Sequence, residues 1–190
     1  MKKLISFIPN ILTLLNLTFG VLGILFFQHD LIFAAVCLYI AMIFDFFDGF
    51  AAKLLNATSE IGKQLDSLSD LVSFGVLPAC ILFGVMHPDF IWLQRVEIPI
   101  ISYFVIIIPI FSAFRLAKFN LDETQKYGFK GLPTPANAFW IASIPLILNY
   151  VEAGSVAYEI YSNRTIIVTL AVCCAFLLVI PVPLMALKFR

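Results

Sequence analysis

Apolar residues recur along the chain in runs of about twenty, each closed by polar or turn-forming residues, which is the length needed to cross a bilayer core as a helix. The runs predict spans near 8–28, 31–54, 66–86, 97–117, 134–151 and 165–187. No repeat, low-complexity tract or Gly/Ser linker separates them, so the pattern predicts one all-α membrane domain of six transmembrane helices covering residues 1–190. Pro109, Pro145, Pro181 and Pro183 fall inside spans, where neighbouring helices must satisfy the freed carbonyls.

Polar positions inside the runs carry more information than the runs themselves. Asn10, Thr13 and Asn16 interrupt the first span and suit a helix that faces a polar cavity, with Thr13 and Asn16 sharing a face at a separation of three. The stretch from Asp45 to Asp70 reads DFFDGFAAKLLNATSEIGKQLDSLSD. At about 100° per residue, with Asp45 at zero, Asp48 falls at about −60°, Ala52 at about −20°, Gly49 at about +40° and Lys53 at about +80°. With Gly62 at zero on the next helix, Asp66 falls at about +40°, Asp70 at about +80°, Ser69 at about −20° and Ser73 at about +20°. Each helix therefore carries one acidic face. Phe44, Phe46, Phe47 and Phe50 occupy most of the remaining circumference of the first, and the short connection predicts antiparallel neighbours whose acidic faces meet.

Composition agrees with a bilayer protein: 62% of the 190 residues are apolar and 13% charged, against about 25% charged in soluble domains. The formal charge is zero, from 12 basic and 12 acidic residues, which gives no case for nucleic acid. Placement is the informative quantity. If six spans alternate sides, ten of the 12 basic residues fall on one side, and only Arg95 and Arg164 on the other. The positive-inside rule then places both termini and the loops near 55–65 and 118–133 in the cytoplasm. Lys2 and Lys3 precede an apolar run as in a signal peptide, but no small-residue cleavage site follows, which predicts a retained helix. Cys37, Cys80, Cys173 and Cys174 lack metal-ligand spacing and are expected as small apolar packing residues.

A charged side chain at mid-membrane costs about 2.5–3.5 kcal/mol, so four converging carboxylates need compensation. Divalent cations supply it, and an all-oxygen ligand set favours hard ions such as Mg²⁺, Mn²⁺ or Ca²⁺, with enough carboxylates for a two-metal cluster. The small residues Gly49, Ala52 and Gly62 fit either close helix packing or a groove for a flat base and its phosphates, with Lys53 at its mouth.

The spacing Asp45-x2-Asp48-Gly49-x2-Ala52-Lys53-x8-Gly62-x3-Asp66-x3-Asp70 resembles the signature of the CDP-alcohol phosphotransferase family, D-x2-D-G-x2-A-R-x8-G-x3-D-x3-D. Seven of the eight fixed positions match, and Lys53 departs from the usual Arg, keeping the charge but losing the bidentate fork. The resemblance implies a six-helix membrane domain, usually a homodimer, that binds the CDP moiety of a lipid donor and transfers its phosphatidyl group to an alcohol. It implies metal binding by Asp45, Asp48, Asp66 and Asp70, with Asp70 also the base for the acceptor hydroxyl. CDP and phosphate would be held by Gly49, Ala52, Lys53, Gly62, Asn10 and Thr13.

The segments LDSLSDLVSFGVLP (65–78), RLAKFN (115–120), GLPTP (131–135) and IPNILTLLNLTFG (8–20) resemble the membrane-bound phosphatidylserine synthases of bacteria and archaea. That likeness implies CDP-diacylglycerol as donor, L-serine as acceptor, membrane lipids as surroundings and a location in the cytoplasmic (inner) membrane. Arg115, Lys118 and Lys130 would then hold the serine carboxylate, or else anchor helix ends among anionic headgroups. Ser69 and Ser73 would line the acceptor pocket, or bond back to their own helix. Other acceptors (glycerol 3-phosphate, inositol phosphate), an ether-lipid donor, and a divalent-cation transporter are the competing readings.

Overall fold

The computed structural model describes residues 7–87, 98–121 and 131–180, and among these it is entirely helical. The helices are α1 (Ile8–Phe26), α2 (Leu31–Leu54), α3 (Glu60–Asp70), α4 (Leu77–Met86), α5 (Ile107–Leu121), α6 (Thr134–Tyr150), α7 (Val156–Ser162) and α8 (Arg164–Val179). A π turn, Leu71–Val76, joins α3 to α4 without a break, and a 3₁₀ segment, Ile100–Ile106, leads into α5. Polar side chains mark the helix starts: Asp30 accepts from the Phe33 N–H at the head of α2 and Ser59 from the Gly62 N–H at the head of α3.

Among the described residues, four helices are long and apolar enough to cross a membrane: Ile8–Phe26, Leu31–Leu54, Glu60–Met86 and Ile100–Leu121. The pair α7 and α8 makes a fifth if its 73° bend lies within one span. The six expected spans therefore do not all recur as single long helices. In the region 134–151, α6 runs for 17 residues and stops where Val151 turns extended. The last region breaks at Asn163, whose side chain leaves the helical path to cap α8 by accepting from the Thr165 and Ile166 N–H groups. The third span starts at Glu60 and not at 66, because the Ser59 cap nucleates it early. Residues 181–190 lie outside the described residues, as do Arg95 and Lys130.

Two apolar clusters hold the bundle together. Leu38, Phe74, Leu77 and Ile81 pack where α2 meets the π turn and α4, and Leu82, Ile108, Ile141, Ile144 and Ile167 pack among α4, α5, α6 and α8. Large apolar side chains also cover the outside, including Leu25, Ile43, Phe46, Phe104 and Phe114. In water such a surface would drive association; facing lipid it carries no penalty. Cys37 is buried as expected, whereas Cys173 faces outward.

Two glycines are dictated by backbone geometry. A Cβ on Gly20 would collide with the Ser73 hydroxyl, so only glycine lets α1 lie this close to the π turn. Gly131 has φ +84°, and a Cβ there would meet the carbonyls of Leu177, Leu178 and Ile180 at the end of α8. The Leu132 N–H donates to Leu177 O at 2.9 Å, tying the start of α6 to that same end.

Candidate functional site

The α2–α3 connection is short, with Asn56 in the left-handed region at φ 49°, and α1 packs against both helices, so that the acidic faces of α2 and α3 converge beside it without α2 and α3 lying packed along one another as the short connection predicted. Asp45, Asp48 and Asp66 each offer a carboxylate oxygen, and the three oxygens lie within 4.8 Å of one another. Asp48 is buried, while Asp45 and Asp66 are half-buried. At that separation like charges repel by about 3 kcal/mol per pair at an effective dielectric near 20. No lysine or arginine forms an ion pair with these carboxylates among the described residues. The donor set is hard, anionic and purely oxygen, with open space beside it, and so fits a divalent cation of the Mg²⁺ or Mn²⁺ kind.

Helix α1 supports the acids from the third side. Thr13 Oγ1 donates to Asp48 Oδ2 at 2.7 Å and lies 3.0 Å from Pro9 O. Asn16 Nδ2 donates to Asp70 Oδ1 at 3.3 Å. Asp70 stands one turn beyond Asp66, outside the group of three, with its carboxyl next to that of Asp45. The structure thus separates the four acids by position: three make the cluster, and the fourth touches it through Asp45 and is oriented by Asn16.

Ser69 and Ser73 do not bond back to their own helix. Ser69 Oγ donates to Thr13 O at 3.0 Å and Ser73 Oγ to Asn16 O at 3.1 Å, so both pin α1 across the bundle, and both are fully buried. They hold the helix that holds the acids.

A groove of about 460 Å³ opens next to the cluster, lined by Asn10, Thr13, Asp48, Gly49, Ala52, Gly62, Lys63 and Asp66, together with the 57–60 connection. The expected groove residues are brought together here, with one exception. Lys53 is exposed in the last turn of α2 and does not line the groove; the basic residue that does is Lys63, one turn into α3. Lys53 sits at the edge of the acidic sector, where the helix surface already turns toward solvent. Lys63 Nζ donates to Asn120 O at 3.1 Å, and Asn120 Nδ2 to Ser67 Oγ at 2.8 Å, which fastens the end of α5 to α3. A Cβ on Gly49 would meet nothing within 4 Å, whereas one on Gly62 would lie 3.0 Å from Asn10 Oδ1 and from Ser59 Oγ. Gly49 leaves open space; Gly62 lets Asn10 approach.

Of the three basic residues expected at the acceptor side, Arg115 is the one beside the acids. It interacts electrostatically with Asp70 and donates from Nη1 to Thr134 Oγ1 at 3.2 Å. Lys118 points away onto an apolar shelf with Phe114, Ala117 and Leu121, and Lys130 lies outside the described residues.

The fold and the acidic site define a class, and comparison with known proteins agrees with it. Residues 6–182 match the CDP-alcohol phosphatidyltransferase family, and the chain belongs to that family. It is 33% identical over 184 residues to the CDP-diacylglycerol–serine O-phosphatidyltransferase of Methanocaldococcus jannaschii, covering 90% of this chain and 82% of the relative. It is 34% identical over 132 residues to the enzyme of the same name from Bacillus subtilis, covering 68% of this chain and 70% of the relative. A third relative, the archaetidylserine synthase of Methanothermobacter thermautotrophicus, is 35% identical over 159 residues, 81% of this chain and 65% of that protein.

Proposed function

We propose that this protein transfers the phosphatidyl group of CDP-diacylglycerol to L-serine, giving phosphatidylserine and CMP. The observation that carries the proposal is the cluster of Asp45, Asp48 and Asp66 beside an open groove, in a chain whose relatives bear the names of serine phosphatidyltransferases.

In this reading Asp45, Asp48 and Asp66 hold divalent metal, Mg²⁺ or Mn²⁺ and up to two ions. Bound there, metal supplies charge neutralisation for the pyrophosphate of the donor. Gly49, Ala52 and Gly62 leave room for the CDP moiety, and Asn10, Thr13 and Lys63 give it polar and positive neighbours. Asp70 takes the proton from the acceptor hydroxyl, aligned by Asn16, while Arg115 draws the acceptor toward it. The hydroxyl oxygen attacks the phosphorus that carries the diacylglycerol, the bond from that phosphorus to the bridging oxygen breaks, and CMP leaves with the bridging oxygen. Direct displacement accounts for the site because, among the described residues, no His or Cys stands beside the acids and the nearby Ser59 and Ser69 hydroxyls are engaged with backbone groups; His29 and His87 line a cavity away from the aspartates.

The basic residues argue for six crossings with α6 and the α7–α8 pair as the last two, the acids and both termini cytoplasmic, and residence in the cytoplasmic membrane. The exposed apolar helix faces leave room for a homodimer. The archaetidylserine synthase among the relatives favours one second reading, the same transfer from an ether-lipid donor. A cation transporter, the other class that four acids permit, gains no support from the family match.

The test is the purified protein with CDP-diacylglycerol, Mn²⁺ and either serine or glycerol 3-phosphate, with products read by lipid mass spectrometry. Phosphatidylserine from the first mixture is expected. Product from glycerol 3-phosphate and none from serine would replace the acceptor.

A further inference from the structure

A second cavity, of about 630 Å³, lies at the end of the bundle opposite the acid cluster. Helix α2 measures the separation: Leu31 at its start lines this cavity and Asp48 near its other end belongs to the cluster, a distance of about 25 Å at about 1.5 Å per residue. The walls come from the α1–α2 junction, the end of α4, the later part of α6, and α7 with the first residue of α8. Gln28, His87 and Arg164 stand on them together with apolar side chains such as Leu31 and Leu148. His87 is fixed in place, since its Nε2 lies 2.8 Å from Ser102 Oγ and both residues are buried. Arg164 lies close enough to act on the His87 ring electrostatically.

Two groups in this cavity lack the partner their chemistry calls for. Gln28 Nε2 is buried and has no hydrogen-bond partner among the described residues. Arg164 forms no ion pair with a carboxylate among them. Asp30, the acidic residue on the wall, is committed elsewhere, its Oδ1 accepting from the Phe33 N–H to cap α2. Buried polar groups are nearly always hydrogen-bonded, and leaving one bare costs more where lipid replaces water. Both unpartnered groups are donors. A guanidinium presents N–H groups in a fork that matches phosphate oxygens, and a side-chain amide adds two more. The volume lies within the range of about 300–1,000 Å³ usual for small-molecule sites, so a bare anion would leave the apolar walls without contact.

We propose that this cavity binds the phosphate group of a membrane phospholipid. Arg164 and the Gln28 amide donate to the phosphate oxygens, while Leu31 and Leu148 pack on the glycerol and the first methylenes. Seated there, the lipid joins the α1–α2 junction to the α7–α8 pair at the place where Asn163 interrupts the helix and the axis bends by 73°. It stabilises that bend from outside the helices, and no residue of the acid site takes part.

The experiment uses full-length wild type, Arg164→Gln and Gln28→Leu in detergent, with phosphatidylglycerol, diacylglycerol and inorganic phosphate as probes, read by native mass spectrometry and melting temperature. Wild type is expected to retain one phosphatidylglycerol per chain and to melt higher with it, whereas diacylglycerol, which lacks the phosphate, gives neither effect. Arg164→Gln should weaken phosphatidylglycerol binding about tenfold or more, as loss of a hydrogen bond to a charged group does. Gln28→Leu removes an amide that bonds to no protein group, so without lipid its melting temperature should hold or rise, and the increase given by phosphatidylglycerol should shrink. Equal phosphatidylglycerol binding by wild type and both variants would overturn the proposal and put the lipid elsewhere on the apolar surface. Inorganic phosphate raising the melting temperature as much as phosphatidylglycerol at the same concentration would overturn the lipid as the carrier of the phosphate.

Discussion

Thr13→Val isolates the support that α1 gives the acid cluster. The change preserves side-chain shape, opens no cavity, and deletes the hydroxyl that donates to Asp48 Oδ2 at 2.7 Å. Asp48 is buried, so water does not replace that donor readily. A hydrogen bond to a charged group contributes about 1.5–3 kcal/mol, and loss of a residue that orients a metal ligand lowers metal affinity by about 10–100-fold. The Mn²⁺ concentration for half-maximal CMP release should rise by that factor in Thr13→Val. The concentration at which Mn²⁺ raises the melting temperature, a readout independent of turnover, should shift with it. Saturating Mn²⁺ should restore most of the rate, because the reacting groups are intact. Ser69 and Ser73 still hold α1 in place, so the metal-free melting temperature should change little. An unchanged Mn²⁺ dependence by both readouts would show that Asp48 needs no orientation from α1, and would refute the reasoning.

Other consequences can be measured in the same preparations. Asp70→Asn should fold and keep its Mn²⁺-induced stabilisation but lose about 10²–10⁴ in turnover, and near-normal activity would remove Asp70 as the base. Gly49→Val should raise KM for CDP-diacylglycerol without lowering the melting temperature, since a Cβ there meets nothing within 4 Å. Gly20→Ala should instead destabilise by about 1–3 kcal/mol through its collision with Ser73, and a stable Gly20→Ala protein would contradict the close approach of α1 to the π turn. Burial, and Arg164 nearby, hold the His87 imidazole below its ordinary value of 6.5. The unfolded ring therefore takes up a proton first, and the stability of the neutral form is present above about pH 6.5 and lost as pH falls through the folded value. Melting temperature should drop between about pH 7.5 and 5.5, and by less in His87→Gln; equal drops would exclude His87 as a cause.

How much of this was legible in the sequence depended on whether a local rule governed it. The facing of Asp45, Asp48 and Asp66 followed from helical phase and a short connection, because both helices are regular as far as Asp70. Thr13 and Asn16 stood out as polar residues in an apolar run, and each meets one acid. The shared face of Ser69 and Ser73 also followed from phase, since both hydroxyls donate to α1 carbonyls. Beyond Asp70 the π turn intervenes, with Pro78 just after it, a residue whose missing N–H and bulky ring disturb the preceding turn. Ser73 still meets α1 as Ser69 does, but its contact with Gly20 required knowing how closely α1 packs. The exchange of Lys53 for Lys63 at the groove was hidden for a related reason: both lie near the mouth, and the Ser59 cap that starts α3 early decides which one faces it.

The central claim is that Asp45, Asp48 and Asp66 form the metal site on which phosphatidyl transfer depends. Manganese electron paramagnetic resonance tests it most directly, by titrating Mn²⁺ into purified protein in the presence of CDP and counting bound ions per chain. Wild type is predicted to bind up to two, and a variant carrying Asp45→Asn, Asp48→Asn and Asp66→Asn to bind none while still folded. Equal Mn²⁺ binding by the triple variant would contradict the account.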